Sequence, residues 1–278
     1  MLVTPRQRVR GIRAIIAQKL YSYYSMNPFL CQESICTNRI GYSYTPTIEY
    51  RKDRFMIKTI VDDGFRADLV ETALFDGSME IPMIEKPSEI IIPKGLVPFS
   101  DRKRDASHQC FICFYEHDIR FRDCLLATDK YLDDLSQYPG IISPDCSLYI
   151  DMPLCLQIAN VYMNRAIGHY LQSKGFYVIP NIRWGDERTY TTLELPEKIA
   201  FLGAPKHSVV SVGTYGCVKS REAKYYFREW LIAMLDELEP EAVLVYGAMP
   251  RQVFEGLGSR TRFVNYPDWI THKKAGGL

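Results

Sequence analysis

The chain has 278 residues, of which 47% are hydrophobic and 24% charged, and this composition is typical of a globular protein rather than a disordered or fibrous one. No apolar run approaches the roughly 20 residues that a membrane-spanning helix needs, and the charged N-terminus lacks the apolar core of a signal peptide. We therefore expect a cytoplasmic protein without membrane contact, with one α/β domain and an appended segment.

The charges are distributed unevenly along the chain. Residues 1–60 contain ten Lys and Arg against three Asp and Glu, whereas residues 61–278 contain 24 against 30. This asymmetry predicts a basic, tyrosine-rich N-terminal arm (residues 1–60) and a single α/β domain (residues 61–278). Tyrosines interleaved with basic residues suit stacking on bases, so nucleic acid is one predicted partner. The alternatives are a protein partner, the acidic domain itself, or another copy of the chain in a homo-oligomer.

Eight cysteines raise the question of a metal or disulfide framework. Cys110 and Cys113 form a C-x-x-C motif, but this motif lies in a predicted strand. Residues three apart in a strand point to opposite faces, which is a poor arrangement for binding one ion. Cys31 and Cys36 lie in a segment without periodicity. We interpret the cysteines as free, mostly buried thiols of a reducing compartment.

Hydrophobic periodicity predicts strands that alternate with helices from residue 79 onwards. Before that point it predicts helices at 4–24 and 64–75. The predicted strands lie at 81–84, 90–98, 110–115, 140–149, 176–182, 208–214, 242–247 and 262–266, and later helices at 120–136, 152–174, 220–239 and 250–257. This alternation is typical of a mostly parallel sheet with covering helices. An incomplete (β/α) barrel-like fold and a Rossmann-like sheet both fit the spacing.

The predicted helix at 152–174 has few charges for a surface helix, so we expect it to be buried on most sides. Asp151 is its expected N-cap and Gly175 its expected C-terminal stop. Buried amides need hydrogen-bond partners. We therefore expect the amides of one stripe to fix neighbouring loops rather than contact a ligand. That stripe contains Gln157, Asn160 and Asn164.

Polar tails follow four of the predicted strands. The strand at 176–182 continues into NIRWGDERTY, and the other tails are SPDCSLYIDMP, GTYGCVKS and YGAMP. The carboxyl ends of parallel strands meet at one edge of a sheet, and α/β proteins bind ligands there. We therefore predict that the four tails converge on one site.

The tails carry residues suited to binding an anion. Arg183 and Lys219 are predicted to hold a phosphate or carboxylate group, assisted by backbone N–H groups of the loop that contains Thr214 and Gly216. The remaining predicted ligand contacts are Tyr149, Asn181 and two aromatic residues that would stack on a base or close the pocket, Trp184 and Tyr246.

Three carboxylates are candidates for acid–base catalysis or for binding a divalent metal: Asp145, Asp186 and Glu187. A structural alternative exists for the last two, which would form a turn held by Arg188. Arg183 has a structural alternative as well, because it would neutralise a nearby aspartate. Both alternatives stay open at the level of the sequence.

Five blocks of the sequence resemble, in order, the signature blocks of the DUF4417 domain family of bacteria, phages and mobile elements. The blocks are SPDCSLYIDMP, NRAIGHY, VIPNIRWGDERTY, GTYGCVKSREAKYYF and VLVYGAMP. The resemblance covers roughly residues 79–266 and leaves the N-terminal arm outside. It implies a protein of a phage or mobile element and leaves the reaction open.

Two functions fit these observations. In the first, the domain binds a nucleotide, phosphate ester or nucleic-acid end at the converging strand ends. If this protein is an enzyme, it is then a hydrolase acting on a phosphate-containing substrate. In the second, the protein is a non-catalytic nucleic-acid- or protein-binding component of a phage or mobile element that acts through residues 1–60.

Overall fold

The computed structural model describes residues 66–105, 107–269 and 271. The predicted basic arm and the helix predicted at 4–24 therefore lie outside the described residues. An antiparallel pair comes first, formed by β1 (Phe75–Asp76) and β2 (Ile81–Pro82). The parallel strands follow as β3 (Leu96–Pro98), β4 (Phe111–Cys113), β5 (Ile141–Ile142), β6 (Val178–Ile179), β7 (Val209–Gly213), β8 (Ala242–Tyr246) and β9 (Arg262–Tyr266).

The parallel strands lie side by side in chain order. Strands β3 to β6 form one sheet and β7 to β9 another, and a parallel bridge between Asn181 and Ser211 joins the end of β6 to β7. Chain order without reversal is typical of a (β/α) barrel, whereas a Rossmann-like sheet reverses its order at the centre. Within the described residues no pairing joins β3 to β9. The predicted α/β fold is confirmed: parallel strands in chain order carry covering helices, and no barrel closes within the described residues.

Helices cover the outer face of the strands. They are α1 (Arg122–Leu126), α2 (Leu132–Leu135), α3 (Leu154–Ser173), α4 (Glu187–Tyr190), α5 (Arg221–Leu238) and α6 (Arg251–Phe254). The long helix α3 packs through Ile167 and Leu171 on outward residues of β4 to β6, such as Ile112. The long helix α5 packs through Trp230 on outward residues of β7 and β8, such as Val243. No helix within the described residues is long and apolar enough to cross a membrane.

Inward-facing residues of the strands form a separate apolar core. Because side chains alternate along a strand, Phe111 and Cys113 of β4 point inward while Ile112 points outward. The hydroxyl of Tyr266, at the end of β9, donates to the carbonyl oxygen of Pro93 at 2.6 Å. This bond links the last strand to the segment that leads into β3.

Helix α3 confirms part of the prediction for residues 152–174. Gly175 has a φ of +89°, a left-handed conformation that suits glycine and ends the helix. The expected cap is wrong, because the N-cap position belongs to Pro153 and no side chain caps the helix. Asp151 lies two residues too early to reach the free N–H groups. The helix is buried mainly in its second half, whereas Leu156 near its start is 49% exposed.

Two other predicted helices are shorter in the structure. The described part of the helix predicted at 64–75 contains only a 3-10 turn, Ala67–Leu69, and the chain then enters β1. The helix predicted at 120–136 is divided into α1 and α2 by a 3-10 segment. Thr128 explains this division, because its hydroxyl bonds to the carbonyl oxygen of Cys124 at 2.8 Å, and such bonds compete with regular helix geometry.

Candidate functional site

Side chains near the carboxyl ends of four neighbouring strands meet in one buried polar network. Tyr115 follows β4, Asp145 follows β5, Asn181 follows β6 and Ser211 belongs to β7. Their exposed fractions are 5%, 7%, 1% and 0% respectively. The strand order places these ends side by side, so the tails after β5 and β6 do meet.

Asp145 lies at the centre of this network and accepts hydrogen bonds from two side chains. Its Oδ1 accepts from Nδ2 of Asn181 at 2.8 Å, and its Oδ2 accepts from the guanidinium of Arg183 at 2.9 Å. The other terminal nitrogen of Arg183 approaches Sγ of Cys217 at 3.8 Å. Sulfur is a weak acceptor, so this nitrogen of Arg183 keeps capacity to donate to a stronger one.

The environment of this ion pair changes the pKa of both partners. Burial raises the pKa of Asp145, although the charge of Arg183 and the hydrogen bond from Asn181 act in the opposite direction. Burial also works against the charged form of Arg183 and is the largest single cause, but Asp145 together with Cys217, Tyr115 and Asp118 outweighs it, and the pKa of Arg183 is raised. Arg183 therefore stays charged, and Asp145 accepts a proton more readily than an exposed aspartate does.

Tyr115 connects the Asp145 pair to the inner face of the sheet. Its hydroxyl donates to Oδ1 of Asn181 at 3.0 Å and shares a hydrogen bond of 2.6 Å with Oγ of Ser211. Its ring stacks on Tyr246 with 4.9 Å between centroids. The ring also requires glycine at position 213, where a Cβ would lie 2.6 Å from it. Burial raises the pKa of Tyr115 well above its usual value, so its hydroxyl remains a donor.

Tyr115 was not predicted as a site residue, because it ends an apolar run typical of core. A usable signal was present. Phe111, Cys113 and Tyr115 have the spacing of one strand face, and the polar sequence Glu116-His117-Asp118 follows directly. This is a fifth polar tail after a strand.

Arg165 on α3 lies behind Asn181 and is only 1% exposed. Its guanidinium donates to the carbonyl oxygens of Leu202 at 2.9 Å, Ala200 at 3.1 Å and Asn181 at 2.9 Å, and to Oδ1 of Asn164 at 2.5 Å. Within the described residues no carboxylate lies within ion-pair distance of it. Burial lowers the pKa of Arg165 to about 10, while the more distant Asp76 opposes the change. This value still leaves the side chain charged at neutral pH.

A small cavity lies between the two arginines. Its lining consists of Cys146, Leu148, Asn160, Val161, Asn164, Arg165, Asn181 and Arg183. The cavity has a volume of about 10 Å³, which is room for about one water molecule. Two arginines and three asparagines thus line a space of atomic size, and of the two arginines only Arg183 has a carboxylate partner among the described residues.

Asp186 occupies a different environment although it lies only three residues after Arg183. It is the N-cap of α4, and its Oδ1 accepts from the backbone N–H of Arg188 at 3.1 Å and from Nε of Arg188 at 2.9 Å. Its Oδ2 accepts from Arg188 at 2.7 Å and from Nε2 of Gln157 at 2.8 Å. These bonds lower the pKa of Asp186 despite its burial. Glu187 is exposed on α4.

Most of the other predicted ligand contacts have structural partners. Trp184 stacks on Trp230 of α5 with 3.6 Å between ring centroids, in the outer core. Thr214 donates to the carbonyl oxygen of Ala248 at 2.7 Å and so ties two loops together. Tyr246 is buried, and its hydroxyl accepts from the backbone N–H of Trp269 at 2.9 Å. Gly216, Lys219 and Tyr149 are exposed.

The amides of α3 have the loop-fixing partners that were predicted. Gln157 donates to the carbonyl oxygen of Met152 and to Asp186, and Asn160 donates to the carbonyl oxygen of Ser147 at 2.6 Å. Asn164 donates to the carbonyl oxygens of Pro144 at 2.5 Å and Asn181 at 3.2 Å. The amide of Asn164 therefore fixes the tails after β5 and β6 and also lines the cavity.

Within the described residues there is no group of three or more His, Cys, Asp or Glu that could hold a metal ion. The six cysteines in the described part of the chain are free. Cys113 faces the inner core and Cys110 packs on the outer one, as predicted for a C-x-x-C motif in a strand.

Comparisons with known proteins identify a family and two phage relatives. The model of the domain of unknown function DUF4417 matches residues 73–267. The Gene 1 protein of Mycobacterium phage L5 is 32% identical over 173 residues, which cover 61% of this chain and 72% of the phage protein. The Gene 1 protein of Mycobacterium phage D29 is 29% identical over 136 residues, which cover 49% of this chain and 48% of that protein. No solved structure matches the chain significantly.

Proposed function

The chain belongs to the DUF4417 family, and we propose that its α/β domain binds a phosphate-containing ligand, such as a nucleotide, a phosphate ester or a nucleic-acid end, at the cavity between Arg165 and Arg183. One observation carries this proposal. Two arginines line one small cavity, and only Arg183 has a carboxylate partner within the described residues. A buried charge without a counterion is costly, so an anion in the cavity would stabilise the domain.

The donors around the cavity suit phosphate oxygens. Guanidinium and amide N–H groups form charge-assisted hydrogen bonds to such oxygens. One terminal nitrogen of Arg183 donates a hydrogen bond to Asp145, and the other lies next to the weak acceptor Cys217. An incoming anion therefore gains a strong hydrogen bond from Arg183 and displaces only a weak one.

The size of the cavity limits how much of a ligand enters it. A volume of about 10 Å³ admits about one water-sized atom. One oxygen of a terminal phosphate fits this space, and the rest of the ligand extends past Arg183 and Asn160, the lining residues that are not fully buried.

Hydrolysis of the ligand is an extension of this proposal that depends on Asp145. Of the three carboxylates predicted as catalytic, Asp145 is the one bonded to cavity-lining side chains, although it is not itself part of the lining. If the domain is a hydrolase, Asp145→Asn lowers turnover of 4-nitrophenyl phosphate and Asp186→Asn does not. Equal loss, or no loss, in the two variants would remove Asp145 from the chemistry.

Calorimetric titration with inorganic phosphate and adenosine 5′-monophosphate tests the binding proposal. We expect Arg183→Gln to weaken binding by about tenfold or more, because a hydrogen bond to a charged group contributes about 1.5–3 kcal/mol. Arg188→Gln is the matched control, since Arg188 belongs to the same segment and also pairs with an aspartate. We expect it to bind phosphate like the natural protein.

Thermal unfolding of each variant shows whether the fold is intact before binding is compared. Adenosine without phosphate is the negative ligand. The proposal is wrong if the natural chain binds neither phosphate nor the nucleotide at millimolar concentration, or if a folded Arg183→Gln variant binds both unchanged.

A second candidate function rests on the charge asymmetry of the sequence. Residues 1–60 carry seven more basic than acidic residues, with six tyrosines among them at positions 21, 23, 24, 42, 44 and 50. Such a segment suits a nucleic-acid or protein partner. Changing Arg6, Arg10, Arg13 and Lys19 to Gln in the full chain should reduce the salt dependence of DNA or RNA binding. An unchanged salt dependence would exclude these residues from the interface.

A further inference from the structure

A second feature lies beside the cavity, in the loop after β7 and the first turns of α5. Three tyrosines expose their rings there, Tyr215 by 53%, Tyr225 by 60% and Tyr226 by 41%. Tyr225 and Tyr226 contact each other edge to face with 5.6 Å between centroids. We call residues 215–226 the tyrosine–lysine surface.

This surface is basic although the domain that carries it is acidic. Residues 215–226 contain three basic residues, Lys219, Arg221 and Lys224, against one acidic residue, Glu222. None of the ion pairs in the described part of the chain involves Lys219, Arg221 or Lys224. Their charges are therefore available to an anionic partner.

The loop that begins the tyrosine–lysine surface contacts Arg183, which lines the cavity. Sγ of Cys217 lies 3.8 Å from the guanidinium of Arg183 and 3.5 Å from the carbonyl oxygen of Tyr215. Cys217 therefore places the loop of Tyr215 and Lys219, which leads into α5, next to Arg183.

The side chains of this surface favour one class of ligand. Exposed aromatic rings next to basic side chains are the combination by which proteins bind single-stranded nucleic acid, because bases stack on the rings and phosphates pair with the cations. A duplex keeps its bases stacked inside and offers nothing to the rings. An acidic peptide would use the charges but leave the exposed rings without a specific role.

We infer that the tyrosine–lysine surface binds the bases and backbone of a single-stranded nucleic acid whose terminal phosphate occupies the Arg165–Arg183 cavity. This inference rests on the proposed phosphate site and names its ligand class. Tyr215 and Tyr225 stack on bases, and Lys219, Arg221 and Lys224 neutralise backbone phosphates.

Fluorescence anisotropy of the full chain with a 12-nucleotide oligothymidylate tests the inference. The probe carries a 5′-phosphate or a 5′-hydroxyl, and a duplex of the same length and a glutamate-rich peptide serve as competitors. All measurements are repeated with Arg6, Arg10, Arg13 and Lys19 changed to Gln, so that binding by the N-terminal segment is separated from binding by the surface.

The double variant Tyr215→Ala/Tyr225→Ala should weaken oligonucleotide binding by about tenfold or more, since each stacked base contributes strongly to affinity. Lys219→Gln/Lys224→Gln should weaken binding and reduce its salt dependence. Phe75→Ala and Arg251→Gln are matched controls, because both side chains are exposed on other elements. They should bind like the natural chain.

The outcomes separate this inference from the proposed phosphate site. Loss of oligonucleotide binding in the tyrosine variant, with inorganic phosphate still bound, supports the tyrosine–lysine surface. Unchanged binding in that variant overturns the inference and leaves the phosphate site standing. If the tyrosines matter but the 5′-phosphate makes no difference, the link to the cavity is wrong. Stronger competition by the duplex or the peptide than by single strands also overturns the inference.

Discussion

Two Asp–Arg pairs, whose arginines lie five residues apart in the same segment, have opposite properties. Arg183 pairs with Asp145 at 2.9 Å across two strand ends, whereas Arg188 pairs with Asp186 at 2.7 Å within one turn. Asp186 accepts four hydrogen bonds and its pKa is lowered. Asp145 accepts bonds from two side chains and its pKa is raised, with burial as the largest cause.

The difference separates a structural ion pair from one suited to binding. Arg188 fixes the start of α4 through Nε and one terminal nitrogen, which donate to Asp186 and to the carbonyl oxygen of Met152. Arg183 has a donor near a thiol and a cavity beside it. A similar contact distance therefore has a different meaning, depending on whether a cavity and a weak acceptor lie beside the arginine.

The largest expected effect comes from breaking the long-range pair. Asp145→Ala leaves a mostly buried guanidinium without its carboxylate, so we expect the free energy of unfolding to fall by about 3–5 kcal/mol. Urea denaturation measures the change. A loss below about 1 kcal/mol would mean that Arg183 finds equivalent partners and that the pair is not central.

Removing the hydroxyl behind Asp145 should have an intermediate effect. Tyr115→Phe leaves Oδ1 of Asn181 without the donor it has in the structure, and an unsatisfied buried acceptor costs about 1–3 kcal/mol. The same denaturation experiment on Tyr138→Phe, whose hydroxyl bonds to the carbonyl oxygen of Arg102, gives a matched reference. Only Tyr115→Phe should also weaken phosphate binding, because it loosens Asn181 at the cavity.

Breaking the local pair should cost less than breaking the long-range one. Asp186→Ala removes an N-cap, and caps contribute about 0.5–2 kcal/mol. Arg188 is 28% exposed in its side chain, so it can turn to water when its partner is lost. Glu187→Ala, on the exposed side of the same turn, is the control and should change stability by less than about 0.5 kcal/mol. A larger cost for Asp186→Ala than for Asp145→Ala would reverse the comparison.

The pH dependence of stability should differ in sign between the two aspartates. The pKa of Asp186 is lowered in the folded protein, so its stabilising contribution is present above the ordinary aspartate value and disappears as the pH falls through the folded value. The pKa of Asp145 is raised in the folded protein. Its contribution to the free energy of unfolding is therefore present below the ordinary aspartate pKa and is lost as the pH rises through the raised folded pKa. Unfolding curves of Asp186→Asn and Asp145→Asn against pH, each subtracted from the natural protein, should slope in opposite directions. Equal slopes would contradict opposite pKa shifts for Asp186 and Asp145.

Much of the fold was predictable because the strands are short apolar runs bounded by polar residues. The strand at 262–266 was predicted at its observed limits, and the six preceding parallel strands all lie within predicted runs. Helix boundaries were less accurate where a single side chain decides them. Thr128 divides one helix through a bond to Cys124, and Pro153 starts another without a side-chain cap.

The site was predictable only where residues follow strands directly. Asp145, Asn181 and Arg183 were named from their tails, and the structure brings them together. Arg165 was not predicted as a site residue, because a single arginine in an apolar helix does not reveal that its partners are carbonyl oxygens from other segments. Trp184 and Tyr246 were predicted to stack on a base, whereas both are packed against other aromatic rings of the domain. Packing partners this distant in sequence leave no local pattern.

The most direct test of the phosphate site is a crystal structure of the full chain grown with arsenate, a tetrahedral analogue of phosphate that is visible by anomalous scattering. We predict an anomalous peak beside Arg183 at the mouth of the Arg165–Arg183 cavity, with one arsenate oxygen inside it, and no peak at Arg188. An empty cavity at millimolar arsenate, or a peak at Arg188 instead, would contradict the distinction between the two Asp–Arg pairs.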